Sequence, residues 1–344
     1  MHLADFDFAL PRALIAQEPA HPRDSARLLV VGDGLADRRV SDLPGCLRAG
    51  DMLVVNETRV IPVRLSGRRG AASVEVTLHT DLGESRWAAF ARPARRLRVG
   101  DRVDFADGFS ATVVEKRLQG DVILDFELSP ASLLESLDRH GAMPVPPYIR
   151  RDDGARDSDR TDYQTMFATN AGAIAAPTAG LHFTPSLMER LAAAGIGCTR
   201  ITLHVGIGTF LPVKVDDLRE HRMHAEFGMI DRSAAAAING ARDAGGRIVA
   251  VGTTCVRLLE SAADAAGVVH PFEDETDLFI SPGWRFRAVD LMMTNFHLPR
   301  STLFVLVCAF AGRDRMRTAY AHAVAAGYRF YSYGDACLLS PSAS

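Results

Sequence analysis

Cysteine is sparse in this sequence, and Cys46, Cys198, Cys255, Cys308 and Cys337 are scattered, odd in number and never spaced as C-x-x-C. That pattern argues against both a disulfide framework and a thiolate zinc site. No apolar run approaches the roughly 20 residues that cross a bilayer, and the longest, around Leu303 to Phe310, is less than half of that. The opening MHLADFDFALPR has acids where a secretion signal has bases, and it lacks an apolar stretch. A cytosolic location without membrane contact is therefore expected. Excess charge is also missing: with a formal net charge of -3, any affinity for nucleic acid must come from local basic patches.

What is present fits a soluble globular chain. At 344 residues, 47% hydrophobic and 24% charged, it suits two domains, or one large domain with an insertion. Residues 1–60 alternate short apolar runs, such as Leu28 to Val31 and Met52 to Val55, with Pro, Gly and Asp, and read as strands and tight turns. From 61 to 143 the pattern is all-β: Val74, Val76 and Leu78 alternate with polar residues, and turn signals recur at Gly83, Gly100, Asp107-Gly108 and Gly120-Asp121. A small barrel or sandwich is predicted there. A helix over Pro130 to Arg139 leads into MPVPPYI at 143 to 149, whose prolines force extended backbone and suit a rigid connection.

Beyond about residue 163 the texture becomes α/β, strands feeding loops that are followed by helices. One helix starts at Pro185, capped by Thr184 and stopped by Gly195; others are predicted over Ser233 to Ala244, Arg257 to Ala266 and Ser301 to Ala311. The β-rich middle, 61–143, reads as an insertion into a larger unit made of 1–60 and 144–344.

Five segments place small residues, hydroxyls and histidines at the ends of predicted strands: AAPTAGLHFT (175 to 184), TLHVGIGTFLPVK (202 to 214), VGTTCVRLLES (251 to 261), TNFHLPRST (294 to 302) and YRFYSYGDA (328 to 336). Such loops are where α/β proteins keep their sites, and this mixture describes a polar small-molecule pocket. Gly206-Ile207-Gly208 lacks the third glycine of a dinucleotide loop, and Leu211-Pro212 follows where a helix should open, so a Rossmann site is rejected. Thr253-Thr254 ahead of Arg257 can bind an anion at a helix start, or merely cap it. His182, His204 and His297 each follow apolar residues and can be satisfied core groups or proton carriers. His221 and His224 lack a nearby third ligand, and no metal is predicted. Arg64, Arg68, Arg69, Arg92, Arg95, Arg96 and Arg98, interleaved with Trp87 and Phe90, make the β-rich part locally basic; they can meet a phosphate backbone or form a solvated face. Phe183, Phe210 and Phe296 can face a cation or pack in the core.

Taken together, these five segments, with DFDFALPRALIAQEP (5 to 19), RDSARLLV (23 to 30), GDMLVVNETRVIPVRL (50 to 65) and DYQTMFA (162 to 168), resemble the S-adenosylmethionine:tRNA ribosyltransferase-isomerase family of queuosine biosynthesis. Glu57, Cys255, Ser281, Trp284 and the stretch Phe227 to Met229 depart from the pattern and bear on substrate preference more than on reaction class. The resemblance implies a monomeric enzyme with a mixed α/β main domain and an inserted small β-barrel. It implies transfer of the ribosyl group of S-adenosylmethionine, a co-substrate with no true cofactor, to 7-aminomethyl-7-deazaguanine in tRNA. Epoxyqueuosine forms; adenine and methionine leave.

Such a reaction needs a base, an acid and a pocket that tolerates a sulfonium. The base is assigned to His182 or His204, the adenine-side acid to Asp335 or Glu260, and the methionine carboxylate to Arg257 with the Thr253-Thr254 backbone. Thr178, Gly180, Gly206, Gly208, Thr209, Phe210, Asn295, His297 and Tyr333 complete the expected substrate-binding set. A methyltransferase and a non-catalytic tRNA-binding protein are the competing readings; the first would make S-adenosylhomocysteine, the second would consume nothing.

Overall fold

Four short strands open the chain: β1 (Arg27–Val31), β2 (Leu35–Arg39), β3 (Met52–Asn56) and β4 (Thr58–Val60). The computed structural model describes residues 1–344 apart from 118–120, 153, 207, 209–214 and 343–344. Six strands then close a barrel in the order β10-β7-β6-β5-β8-β9. They are β5 (Arg64–Arg69), β6 (Ala72–Asp81), β7 (Arg86–Arg92), β8 (Arg102–Ala106), β9 (Phe109–Lys116) and β10 (Asp121–Asp125). Seven more follow: β11 (Asn170–Ala173), β12 (Gly197–Leu203), β13 (Glu226–Ile230), β14 (Ile248–Val251), β15 (Phe272–Thr276), β16 (Leu291–Asn295) and β17 (Ala336–Leu339).

Barrel formation follows from the two-residue period. On β6, Val74, Val76 and Leu78 are buried while their neighbours are less so, which gives the strand one inward face. Trp87, read from sequence as part of a basic surface, lies inside the barrel at 6% exposure; only Phe90 remains outside, against the His79 ring. The helix Pro130–His140 packs Leu133 and Leu137 against the barrel core, and Ser129 caps it by accepting from the Ser132 N–H.

The second sheet has nine strands in the order β15-β13-β12-β3-β14-β16-β17-β1-β2. Its centre, β12-β3-β14-β16, is parallel, whereas β17 runs antiparallel to β16. Central parallel strands are covered on both faces, which is why MLVVN, IVAV and LMMTN carry nearly unbroken apolar runs. Because β1 and β3 precede the barrel while their neighbours β17, β12 and β14 follow it, the barrel is inserted into a mixed α/β unit.

The helices at Pro185–Ala193, Arg232–Asp243 and Thr302–Ala311 stand where the sequence places them, capped by the side chains of Thr184, Asp231 and Ser301. The third predicted helix is shifted: it spans Thr253–Ala262, because Gly252 (φ 97) turns the chain directly out of β14 and Ala263 is already extended. A further helix, Arg313–Ala325, has no counterpart in the sequence reading; it buries Met316, Ala319, Tyr320 and Ala323 along one stripe.

At the amino end of the central strands sits Asp51, fully buried. Its carboxylate accepts the Arg48 N–H (2.9 Å), the Arg247 N–H (3.1 Å) and two bonds from the Arg247 guanidinium (3.0 and 2.6 Å), tying the start of β3 to the start of β14. Burial alone would raise its pKa, but the bonds from Arg247 and Arg48 outweigh it and hold the carboxyl below its ordinary value. Asp51→Ala is expected to cost about 3 kcal/mol, because the hydrogen bonds to a buried carboxylate are lost while Arg247, 29% exposed, can still reach water. A denaturant midpoint equal to that of the parent protein would show that the knot adds nothing.

Candidate active site

The parallel strands β3, β12, β14 and β16 release the chain at one edge of the sheet, and antiparallel β17 starts there, with Ala336 opposite Asn295. Open α/β sheets bind ligands outside this carboxyl edge. A cavity of about 400 Å³ lies here, and all five of the sequence segments reach it, through Thr178, Val205, Thr254, Asn295 and Ser332 among others.

Asn295 is the hub. Buried at the end of β16, it accepts from the Thr178 hydroxyl (3.0 Å) and donates to His182 Nε2 and to the Tyr331 carbonyl, each at 3.2 Å. His182 is buried, and its pKa is pushed down to about 4 by that burial first, then by the charges of Arg23 and Arg329; a hydrogen bond to the Arg23 backbone opposes them. With Nε2 already accepting from Asn295, this neutral ring orients the amide and does not itself line the cavity. His297 does line it: its ring pairs with the Thr294 hydroxyl at 3.0 Å, its N–H donates to the Tyr320 hydroxyl, and burial lowers its pKa to about 3.

His204 is half-buried and, like His182, does not itself line the cavity, although its neighbour Val205 does. Its Nδ1 meets the Thr58 hydroxyl at 2.8 Å, and Phe227 lies nearly parallel at 5.9 Å. Gly172 (φ 153) makes room for the ring, because a Cβ there would come within 2.8 Å of it. Among the described residues nothing bonds its Nε2, and burial lowers its pKa, which favours the neutral ring. With the Thr58 hydroxyl donating to the Asn170 carbonyl and accepting from Nδ1–H, Nε2 is the nitrogen left to take a proton.

Three assignments made from sequence are corrected by this geometry. Arg257 is 3% exposed, forms an ion pair with Glu226, donates to the carbonyls of Leu278 (2.9 Å) and Thr276 (3.1 Å), and does not line the cavity. Glu260 accepts from the N–H groups of Arg287 and Ala288 and from the Trp284 indole, so it anchors a loop. Asp335 accepts the N–H groups of Arg27 and Arg329 at 2.9 and 2.7 Å. Neither carboxylate lines the cavity.

Gly180 packs in a tight turn against Thr165, and a Cβ on Gly208 would meet His224 within 2.6 Å, so both glycines answer to packing. Gly206 donates its N–H to Glu226 Oε1 at 2.9 Å. Tyr333 is buried behind Tyr163. Thr209 and Phe210 lie outside the described residues. Phe183 packs on Phe167, away from any cation, whereas Phe296 reaches the cavity from an aromatic cluster with Tyr320, Tyr328 and Phe330. Among the described residues no group of three or more His, Cys, Asp or Glu side chains could hold a metal, and no helix is long and apolar enough to cross a membrane.

What the sequence left unassigned includes Tyr148, Tyr163, Arg300 and Tyr331, all lining the cavity. Positive backbone angles at Arg300 (φ 56) and Tyr331 (φ 74) mark two of them as special in the fold. The helix Thr253–Ala262 also opens onto the cavity. Its N-cap Gly252 supplies no side-chain cap, and the buried Thr254 Oγ1 has no hydrogen-bond partner. Unsatisfied N–H groups at a helix start, joined by an unpartnered hydroxyl, form an anion-binding feature.

Comparison with known proteins gives a consistent result. The model of the family described as "Queuosine biosynthesis protein" matches residues 3–339. A protein of Rhizorhabdus wittichii named S-adenosylmethionine:tRNA ribosyltransferase-isomerase is 61% identical over 340 residues, covering 98% of each chain. One of the same name from Rhodospirillum rubrum is 60% identical over 336 residues, covering 97% of each. The crystal structure of S-adenosylmethionine tRNA ribosyltransferase from Thermotoga maritima is similar at 35% identity and a TM-score of 0.55, over 97% of this chain and 99% of that one.

The buried histidines carry a stability signature. Above pH 6.5 His182 is neutral folded or unfolded; as pH falls from 6.5 toward about 4, only the unfolded chain takes up its proton, so stability drops across that window. At about 1.4 kcal/mol per pKa unit, His182 accounts for roughly 3 kcal/mol. Chemical denaturation at stepwise pH is expected to show this loss, and His182→Gln to flatten part of it. A parent profile that is level from pH 7 to 4 would mean these rings are not held neutral.

Proposed function

Since the chain belongs to the S-adenosylmethionine:tRNA ribosyltransferase-isomerase family of queuosine biosynthesis, we propose that it transfers and isomerises the ribosyl group of S-adenosylmethionine onto the aminomethyl group of 7-aminomethyl-7-deazaguanine in tRNA. Epoxyqueuosine-tRNA is the product, and adenine and methionine leave. The observation that carries this reading is the cavity at the carboxyl edge of the sheet, with the uncapped helix start and the unpartnered Thr254 hydroxyl inside it.

The methionine carboxylate is assigned to the N–H groups at Thr253 and Thr254 and to the Thr254 hydroxyl, with Arg257 acting only from behind. The sulfonium acidifies the adjoining ribose 5′ carbon. A base removes a proton there, adenine departs, the substrate amine attacks, and rearrangement to the epoxide expels methionine. Neither histidine lines the cavity, but His204 suits the base better than His182: it adjoins the cavity-lining Val205 and its Nε2 is unbonded among the described residues, whereas the His182 lone pair already holds Asn295. Residues 1–60 and 144–344 then form the catalytic domain, and the insertion 61–143 meets the tRNA. Arg92, Arg95, Arg96 and Arg98 are exposed on it and in no ion pair among the described residues, which supports phosphate contact; Arg64 and Arg69 instead pair with Glu75 and Asp101.

Purified protein incubated with S-adenosylmethionine and tRNA carrying the aminomethyl base is expected to yield the epoxide nucleoside and free adenine by mass spectrometry. S-adenosylhomocysteine in their place would mean methyl transfer, and no consumption by a protein that binds tRNA would mean a binding role. His204→Ala is expected to slow turnover by about 100-fold or more while S-adenosylmethionine still binds; an unchanged rate would remove the base assignment.

A further inference from the structure

Among the described residues, four buried side-chain polar atoms have no hydrogen-bond partner: His79 Nε2, Tyr163 OH, Thr254 Oγ1 and Tyr333 OH. His79 belongs to the barrel. The others gather at one place, because Tyr163 and Thr254 line the cavity and Tyr333 packs edge-on against Tyr163. Buried hydroxyls are nearly always satisfied, and an unmade bond costs free energy that phenylalanine would not.

The Tyr163 ring is fully buried. The Ala176 N–H and the Ser332 hydroxyl lie close enough to influence its phenol, yet neither makes a hydrogen bond of normal geometry with it. Ser332 is engaged elsewhere, with the Tyr148 hydroxyl at 2.7 Å. Around Tyr163 the cavity wall is aromatic and apolar: the Tyr148 and Tyr331 rings stand 4.1 Å apart between centroids, tilted 42° to one another, and Pro147 and Pro177 line the same cavity. Thr253, Thr254 and Ser301 give the rest of the wall a hydroxyl-rich character. A cavity with flat rings and one orphaned phenol fits a planar nitrogen heterocycle that presents a polar edge.

We infer that the Tyr163 hydroxyl hydrogen-bonds the edge of a planar nitrogen heterocycle held against Tyr148 and Tyr331, and so selects the base that enters the site. A phenol both donates and accepts, so it can serve a ring nitrogen or an exocyclic amine. The inference rests on the proposed reaction only in naming the two heterocycles at hand, the adenine of S-adenosylmethionine and the deazaguanine of the tRNA.

Tyr163→Phe removes this hydroxyl and nothing else. Because the hydroxyl has no partner within the fold, the variant is expected to melt at or above the parent temperature. One lost hydrogen bond to the base is expected to raise one Michaelis constant about tenfold. If that constant is the one for S-adenosylmethionine, and inhibition by adenine weakens in parallel, the base is adenine; if it is the one for tRNA, the base is deazaguanine. Both constants and kcat within twofold of the parent would overturn the inference, as would a lower melting temperature, which would give the hydroxyl a structural partner. Should the parent enzyme itself consume no S-adenosylmethionine, the proposed reaction fails separately. Calorimetric binding of adenine and of 7-aminomethyl-7-deazaguanine to parent and variant then decides the role of Tyr163: weaker binding of either base supports it, and unchanged binding of both overturns it.

Discussion

The ion pair of Arg257 with Glu226 lies in the interior, its two side chains 3% and 4% exposed. Two charges taken out of water are costly, and such a pair holds together only where further hydrogen bonds satisfy what is left over. Here they do. Arg257 also donates to the carbonyls of Leu278 and Thr276, and Glu226 accepts the Gly206 N–H. The Thr276 hydroxyl in turn meets Ser261 on the same helix as Arg257, at 2.7 Å. The helix Thr253–Ala262, the strand β13, the end of β15 and the start of the loop at 206 are thereby locked to one another. This lock aims the uncapped helix start into the cavity, so a guanidinium that does not line the cavity still determines where those N–H groups point.

A second constraint follows from burial. His182 and His297 are enclosed, and burial holds both neutral at physiological pH. Asn295 and the threonines around them are uncharged. A ligand carrying a sulfonium therefore meets dipoles and rings inside the cavity and is not repelled by protonated imidazole. On the proposed reading, the negative end of the same ligand meets N–H groups, which carry only partial charge. The pocket suits a zwitterion by keeping full charges at or beyond its rim, where the exposed Arg300 stands.

Much of this was legible in the sequence, for reasons that can be named. Unbroken apolar runs at 52–55, 248–251 and 291–293 belong to buried parallel strands, and the alternation at 74–78 belongs to a barrel wall. Loops at the ends of parallel strands must share one edge, so the segments after β12, β14 and β16 converge; the segment before antiparallel β17 reaches the same edge, and the one at 175–184 comes to it from β11 of the two-stranded sheet. Charged residues inside those segments misled. Arg257 read as a carboxylate-binding group, and Glu260 and Asp335 as the acid, because a charge near a strand end suggests chemistry. Their partners lie at Glu226, at Arg287 and Ala288, and at Arg27 and Arg329, contacts that no local pattern announces. Tyr148 was hidden in a proline-rich connection that local sequence marks only as extended. Trp87 looked like part of a basic surface because its neighbours are arginines, while the strand period sends it inward.

The two non-glycine residues with left-handed backbone at the cavity carry the argument one step further. Tyr331 and Arg300 sit at φ 74 and 56, a conformation that side chains with a Cβ seldom adopt. Both are held there by bonds to distant chain segments: the Arg300 N–H donates to the Phe6 carbonyl, and the Tyr331 N–H donates to the Phe296 carbonyl. The Tyr331 carbonyl accepts both the Gly334 N–H and the Asn295 amide. The surroundings thus over-determine the two residues, and the cost of the conformation is met by the folded structure before any ligand arrives. Asn295 links this strained turn to Thr178 and His182 across the cavity. A shift at any one of these side chains must displace the others, so the wall of aromatic rings and the polar network opposite it are set together. Groups held in this way can discriminate between ligands by the placement of their hydrogen-bonding atoms.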